Sequence, residues 1–328
     1  MSKYNFHIPP STFLVTGGSG FIGSNLCEAL LSVGHTVRCL DNFSTGFERN
    51  IQPFLSNPAF TLIEGDIRDI TVCERACAGV DYVLHQAAWG SVPRSMEMPV
   101  QYNEINVVGN LNMMQAARDA KVRRFVYASS SSVYGDDPRL PKKEGQEGNI
   151  LSPYALTKSI NEQYGVLYWR VYGLPTIGLR YFNVFGRRQD ANGFYAAVIP
   201  KFIGKIMQDV QPEIYGDGSQ SRDFTYVDNV VAANLNACVA SEDACGKSYN
   251  IACGERTGLM DVYRTIRDAL GSDLEPKYVG NRPGDIMHSH ADISAAQEML
   301  GYHPLFNFEK GIQQAIEWYK DAFAKGLL

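Results

Sequence analysis

Tyr154 and Lys158 stand four residues apart in the run SPYALTK. In a helix, positions i and i+4 share one face, so phenol and ammonium would point the same way. A tyrosine with an ordinary pKa of about 10 is a poor base at neutral pH. A neighbouring ammonium favours the phenolate and makes the residue usable as a general acid and base. The pattern Y-x-x-x-K recurs by chance on helix surfaces. Here it has company. The serine run Ser129 to Ser132 follows the apolar run RFVYA and leads into Val133-Tyr134-Gly135. A serine hydroxyl at the end of a strand can share the proton of a reacting alcohol. Together these residue types offer removal of a proton from a hydroxyl group, and its return.

A second cluster suits a phosphate-bearing ligand. Gly17, Gly20 and Gly23 form G-x-x-G-x-x-G directly after TFLVT and before a helix-like stretch. Glycine is needed where the chain turns tightly and where backbone must approach a pyrophosphate. A helix N-terminus adds free N–H groups and positive dipole. Asp41 ends the next strand, about 20 residues on, where a carboxylate accepts from ribose hydroxyls and repels a 2′-phosphate. The cofactor expected is therefore NAD rather than NADP. Asp66 and Ile67 follow the third strand, where a polar residue could meet the adenine. Gln86, Ala87 and Ala88 follow the fourth, where small residues let backbone come close.

The elements needed to position these groups are visible as short apolar runs alternating with helical periodicity. Strands are expected at 12–16, 36–40, 60–63, 81–85, 124–128 and 176–180. Helices are expected at 19–33, 100–120 and 154–172. That rhythm predicts βαβ units and a Rossmann-type, doubly wound parallel sheet covered on both faces. After Asn183 the rhythm changes. Residues 192–200 and 211–223 are richer in Gly, Pro and polar types. A helix at 227–239, a strand at 248–251 and an amphipathic helix near 308–323 follow. The expected division is a dinucleotide-binding domain at 1–183, with 227–256 returning to it. A smaller mixed α/β lobe would span 184–226 and 257–328.

The chain has 328 residues, 45% hydrophobic and 20% charged, with a net charge of −5. These values exclude disordered and fibrous classes. The acidic balance argues against nucleic-acid binding but leaves room for a local basic pocket. No apolar run approaches the ~18–20 residues that span a bilayer, and no secretory signal is visible. The seven cysteines match no zinc or C-x-x-C spacing and read as free thiols of a cytoplasmic protein.

TGGSGFIG, LDNFSTG, GDIRD, SSSSVYG, SPYALTK, GLRYFNVFGRRQD and SRDFTYVDN together resemble the extended short-chain dehydrogenase/reductases. Within that superfamily they resemble the nucleotide-sugar 4-epimerases, above all the bacterial UDP-N-acetylglucosamine 4-epimerases of surface-polysaccharide pathways. The resemblance implies a triad of Ser130, Tyr154 and Lys158. It implies NAD contacts from Gly17, Gly20, Phe21, Ile22, Gly23, Asp41, Asn42, Ser44, Gly46, Asp66, Ile67, Gln86, Ala87, Ala88, Tyr154, Lys158 and Phe182. Asn106 would support the strand ends near the cofactor. For the UDP moiety it implies Asn183, Arg222 and Arg282 at the diphosphate, Ala197, Val198 and Tyr215 at the uracil, and Asp285 at the ribose. Gly90, Ser91, Ser130, Ser131, Ser132, Tyr154, Gln189 and Ser289 would wall the sugar. A homodimer through the helices near 100–120 and 154–172 is implied as well.

The same resemblance narrows the reaction. Related 4,6-dehydratases carry Thr-Asp-Glu from the triad serine position, and related decarboxylases carry a Glu two residues after it. Ser131 and Ser132 stand there instead, and neither is a carboxylate acid or base. A 4-keto sugar would then only take its hydride back, on the opposite face after turning in the site. Ser289 stands where epimerases restricted to plain hexoses have a bulky Tyr, which favours UDP-GlcNAc and UDP-GalNAc. UDP-glucose, or a uronic acid read by Arg94 or Arg187, is the alternative. A dehydratase, decarboxylase or reductase of the same family and a non-catalytic NAD sensor are the other readings.

Overall fold

The computed structural model describes residues 4, 6–191, 197–280 and 287–327. Strand β1 (Thr12–Thr16), helix α1 (Phe21–Ser32) and β2 (Thr36–Asp41) open the fold, and β3 (Phe60–Glu64), α2 (Ile70–Cys77) and β4 (Tyr82–His85) follow. Helices α3 (Val92–Glu97), α4 (Pro99–Asn103) and α5 (Gly109–Asp119) lead to β5 (Arg124–Ser130), and the long α6 (Pro153–Tyr172) leads to β6 (Thr176–Tyr181). The 100–120 stretch, expected as one helix, is α4 and α5 joined by a π-helical turn at Glu104–Val108.

Beyond β6 come β7 (Val184–Phe185), α7 (Val198–Met207), β8 (Glu213–Tyr215), β9 (Ser221–Arg222), β10 (Thr225–Tyr226), α8 (Val227–Val239) and β11 (Lys247–Ile251). The chain closes with β12 (Thr257–Gly258), α9 (Leu259–Ala269), β13 (Lys277–Val279), α10 (Ser294–Leu300) and α11 (Phe308–Ala324). Seven strands form one sheet in the order β11-β6-β5-β4-β1-β2-β3, every neighbouring pair parallel. This is the doubly wound Rossmann arrangement, whose order reverses beside β1 and opens a crevice at the strands' carboxyl ends.

Alternation along β1 explains the two layers. Phe13 and Val15 face one way and pack with Leu26 and Leu30 of α1 and Val231 of α8. Leu14 faces the other way, with Met113, Phe125, Tyr127 and Tyr168. Each such fully buried side chain contributes roughly 1.5–3 kcal/mol. A third core lies outside the large sheet. Phe202 and Ile203 of α7, Tyr263 and Ile266 of α9, and Ile312 and Ile316 of α11 close on Ile214 of β8. Short pairs β7–β10, β9–β12 and β8–β13 frame that core. All seven cysteines are free. No helix among the described residues is long and apolar enough to cross a membrane.

Candidate active site

A cleft of about 640 Å³ runs along the carboxyl ends of the sheet. Gly17, Gly20, Phe21, Ile22 and Gly23 line its floor, Asp41, Asn42, Ser44, Gly46, Asp66 and Ile67 one end, and Gln86, Ala87 and Ala88 its middle. Ser130, Tyr154 and Lys158 line it too, with Gly90, Ser131, Ser132, Asn183, Gln189 and Ala197.

The glycine turn is shaped by close backbone approach. Gly17 has φ +66°, and a Cβ there would lie 2.9 Å from Ala87 Cα. A Cβ on Gly23 would lie 2.0 Å from the Gly17 carbonyl oxygen. No side chain caps α1 and no acidic residue stands in its first turn, so its N-terminus presents backbone donors. The buried Asp41 carboxylate accepts from Ser19 N and Phe43 N, each at 2.8 Å. It therefore ties β2 to the turn while further acceptor sites remain. Asp66 accepts both Arg68 Nε and Nη2, and Asn42 Nδ2 at 2.9 Å. Arg68's bonds hold its carboxyl down at about 2.

The β5 end and α6 meet at the other half of the cleft. Ser152 caps α6 by accepting from Ala155 N, and Pro153 occupies the first turn, so helix and Tyr154 begin together at the cleft. Ser130 is the last residue of β5 and caps the tight turn that follows; its Oγ accepts from Ser132 N at 3.2 Å. Lys158 Nζ donates to Ala128 O at 2.8 Å. Burial pushes this ammonium down to about 8, with Glu162 opposing.

Burial comes first in the electrostatics of Tyr154. Burial raises the Tyr154 phenol above its ordinary value, and the groups acting on it are the Ser130 hydroxyl, which lowers it, and Tyr102, which raises it. The Lys158 ammonium donates to the Ala128 carbonyl and lies over the Tyr154 ring, 6.0 Å from its centre. Burial thus favours the phenol over the phenolate in the polypeptide alone. Behind it, His85 bonds Thr16 Oγ1 at 2.7 Å, and burial with the Lys158 charge lowers its pKa to about 3.

Several expected site residues do not line the cleft themselves. Asn106, in the π turn, bonds both Trp89 N and O and donates to Thr157 Oγ1 at 3.2 Å. It braces the loop after β4 against α6 without lining the cleft. Phe182 is wholly buried against Tyr134, and its flanking neighbours Tyr181 and Asn183 line the cleft in its place. Ser91 caps α3 by accepting from Arg94 N at 3.3 Å, and Gly90 and Val92 on either side of it line the cleft. Arg187 is no sugar-facing cation, because it forks between Glu28 and Asp228 at 2.8 and 2.9 Å. Arg94 lies 3.5 Å over the Trp89 ring.

Asn183, Val184 and Ala197 also border a second cavity of about 290 Å³, with Val198, Tyr215 and Arg222. Arg222 Nη1 donates to Ser221 O and Met287 O, each at 3.0 Å. Ser289 stands behind this junction and accepts from Asn183 Nδ2 at 3.0 Å. Arg282 and Asp285 lie outside the described residues. The sequence reading missed Trp89 and Tyr181. Tyr181 donates to Gln86 and accepts from Asn234, a partnership 53 residues away that no local pattern signals.

The family model for the NAD dependent epimerase/dehydratase family matches residues 13–252. The chain belongs to that family. A UDP-glucose 4-epimerase of Mycolicibacterium smegmatis is 35% identical over 310 residues, covering 94% of this chain and 98% of its own. The UDP-N-acetylglucosamine 4-epimerase of Methanobrevibacter ruminantium M1, solved with UDP-N-acetylmuramic acid, superposes with a TM-score of 0.90 at 38% identity over 96% of this chain and 99% of its own. The UDP-glucose 4-epimerase of Thermotoga maritima, solved with UDP-glucose, gives 0.89 at 32% identity over 95% and 99%.

NAD is the family's cofactor, and the residues here fit it. The Gly17 and Gly23 approaches leave no room for side chains at the turn, as a pyrophosphate cradle demands. Buried Ser19 Oγ in that turn and Gln189 Oε1 in the cleft wall have no hydrogen-bond partner among the described residues. Such atoms are costly unless a ligand or water reaches them.

Proposed function

We propose that the protein inverts C4 of a UDP-sugar, most directly between UDP-GlcNAc and UDP-GalNAc. One observation carries the reading. The only carboxylates among the described residues lining the cleft are Asp41 and Asp66, at the β2–β3 end and away from Tyr154. Ser130, Ser131 and Ser132 surround the reacting position instead, so no acid–base pair is at hand for dehydration. When bound, NAD supplies a reversible hydride acceptor. With positive charge close by when NAD is bound, Tyr154 would act as the phenolate, taking the C4 hydroxyl proton to become the phenol and later giving it back. Ser130 shares that proton's hydrogen bond. Lys158 holds positive charge on the same helix face. Gly17–Gly23 seat the pyrophosphate, and Asp41 the adenosine ribose. The second cavity would take the uridine diphosphate, with Tyr215 at the base and Arg222 at the phosphates. In this scheme 1–183 with 227–256 serve NAD, and the remaining segments serve the UDP-sugar in the cytoplasm.

Purified protein given UDP-GlcNAc and no added NAD is expected to form UDP-GalNAc, resolved by NMR. A strict need for added NADH, or release of carbon dioxide from a uronic acid, would overturn the reading. Plain hexoses are the second reading, favoured by the activity of the mycobacterial and Thermotoga relatives. In the same assay Ser289→Tyr is expected to cut turnover of N-acetylated sugars more than of UDP-glucose. Equal losses would refute a size gate at that position.

A second copy of the chain is the occupant we propose for the outer face of α4, the π turn and α6. Val100, Val108, Leu167, Val171 and Tyr172 are each more than two-fifths exposed there. An apolar face of that extent suits a helix-on-helix interface. Sedimentation is expected to give a dimer, and Val171→Glu a monomer. A monomeric parent protein would sink the proposal.

A further inference from the structure

Helix α6 carries a third functional group at the same spacing. Tyr154, Lys158 and Glu162 are successive i, i+4 positions on one face. The Glu162 carboxylate is 13% exposed. Its Oε1 accepts from Ser129 Oγ at 2.5 Å and from Arg180 Nε at 2.8 Å, and its Oε2 accepts from Arg180 Nη2 at 2.7 Å. Arg180 Nη1 donates to Glu147 Oε1, and the guanidinium lies 5.0 Å over the Tyr134 ring. One carboxylate thereby joins α6, β5, β6 and the loop that carries Glu147.

The charge count shows why this is more than an ion pair. Arg180 already has a carboxylate in Glu147. A second acid on the same guanidinium would leave a buried excess of negative charge, costly unless another cation balances it. Lys158 is that cation, one helical turn away. The contact to Ser129 is equally pointed. Ser129 stands between Ala128, whose carbonyl receives Lys158, and Ser130, which touches the phenol.

We propose that Glu162 is a positioning residue for the reaction: it anchors the serine run to the helix bearing Tyr154 and Lys158, and its charge balances the buried Lys158 ammonium. The inference rests on the roles given above to those two residues. The groups facing Lys158 can be named on every side. Tyr154 and Glu162 flank it on α6, the Ala128 carbonyl with Ser129 and Ser130 on β5, neutral His85 on β4, and Arg180 and Tyr181 on β6. Only Glu162 among them bears a negative charge. Removing it disfavours the ammonium.

The test is the pH profile of kcat for UDP-sugar epimerisation by the NAD-containing enzyme, with a ¹³C NMR titration of its lysine ε-carbons, Lys158 being assigned by its loss in Lys158→Met. In the parent protein the Lys158 signal should titrate at about 8. Glu162→Gln is expected to move that titration and the alkaline limb of kcat to lower pH by on the order of one unit. At a fixed alkaline pH this is about a tenfold loss. Glu162→Asp keeps the charge and should keep the limb, with lower kcat. Ser129→Ala should lower kcat several-fold and leave the limb in place. An unmoved limb and an unmoved Lys158 signal in Glu162→Gln overturn the proposal. Should that variant not fold, a shifted limb in Glu162→Asp or an unchanged kcat in Ser129→Ala overturns it. A parent protein that turns over no UDP-sugar refutes the functional reading instead, while the NMR titration still decides the coupling of Glu162 to Lys158.

Discussion

Tyr154→Phe is expected to lower epimerisation by roughly 10²–10⁴-fold, the range a positioned general acid–base supplies. The substitution removes one oxygen and little else. The ring packs edge-on against Tyr102, with centroids 6.2 Å apart, and Phe keeps that contact. Ser130, the other group acting on the phenol, stays held by the Ser132 hydroxyl and backbone. The fold and the NAD content, read by absorbance after denaturation, should therefore match the parent protein. Burial already holds this phenol above its ordinary pKa, so the polypeptide does not supply a phenolate unaided. Turnover then depends on positive charge brought close to the phenol when NAD is bound. A variant retaining near-parental turnover would mean that another group moves the C4 proton. Loss of NAD together with activity would mean that the phenol's first task is binding.

How far the site was legible follows from the kind of signal each residue leaves. Strands buried on both faces read as continuous apolar runs, and TFLVT, RFVYA and TIGLR fall within β1, β5 and β6. The glycine turn was legible because its backbone approaches forbid side chains, which leaves glycine in the sequence as a direct trace. The π turn was not. Glu104–Val108 keeps the apolar rhythm of a helix, and only the wider backbone turn distinguishes it. Helix α7 was missed because Pro200 and the polar residues before it suggested a loop. Yet Ile199, Phe202, Ile203 and Ile206 repeat with helical period, and Pro200 falls in the first turn, where it is tolerated. Arg187 was misjudged for a different reason. Its partners Glu28 and Asp228 are 159 and 41 residues away, so the sequence displayed a charge and hid its neutralisation. Phe182 and Ser91 were placed one position off the cleft, since neighbouring residues in extended chain point to opposite sides.

Gly23→Ala is the second large effect expected, and it acts on NAD rather than on the proton. Gly23 lies in the first turn of α1, and an added Cβ would meet Gly17 O at 2.0 Å, Gly17 C at 2.7 Å and Gly18 Cα at 2.8 Å. All three are backbone atoms, so no side chain can swing aside. The turn cannot retreat either. Gly17 is pressed against Ala87, and its carbonyl already accepts from Gly20 N at 3.1 Å. Relief requires α1 to move away from β1, which opens the packing of Leu26 and Leu30 and drags the helix N-terminus from the pyrophosphate. Overpacking of this kind costs about 1–3 kcal/mol. For a chain of this size that is a fall of several degrees in Tm. The larger loss should be in cofactor, with purified Gly23→Ala carrying less than about a tenth of the NAD of the parent protein, since 1.4 kcal/mol is already tenfold. Gly280→Ala is the control, because at this exposed position no atom of the described residues lies within 4 Å of an added Cβ. It should leave Tm and NAD content unchanged. Parental NAD content and Tm in Gly23→Ala would show that helix and turn adjust freely, and that the close backbone approach is not what shapes the cofactor's cradle.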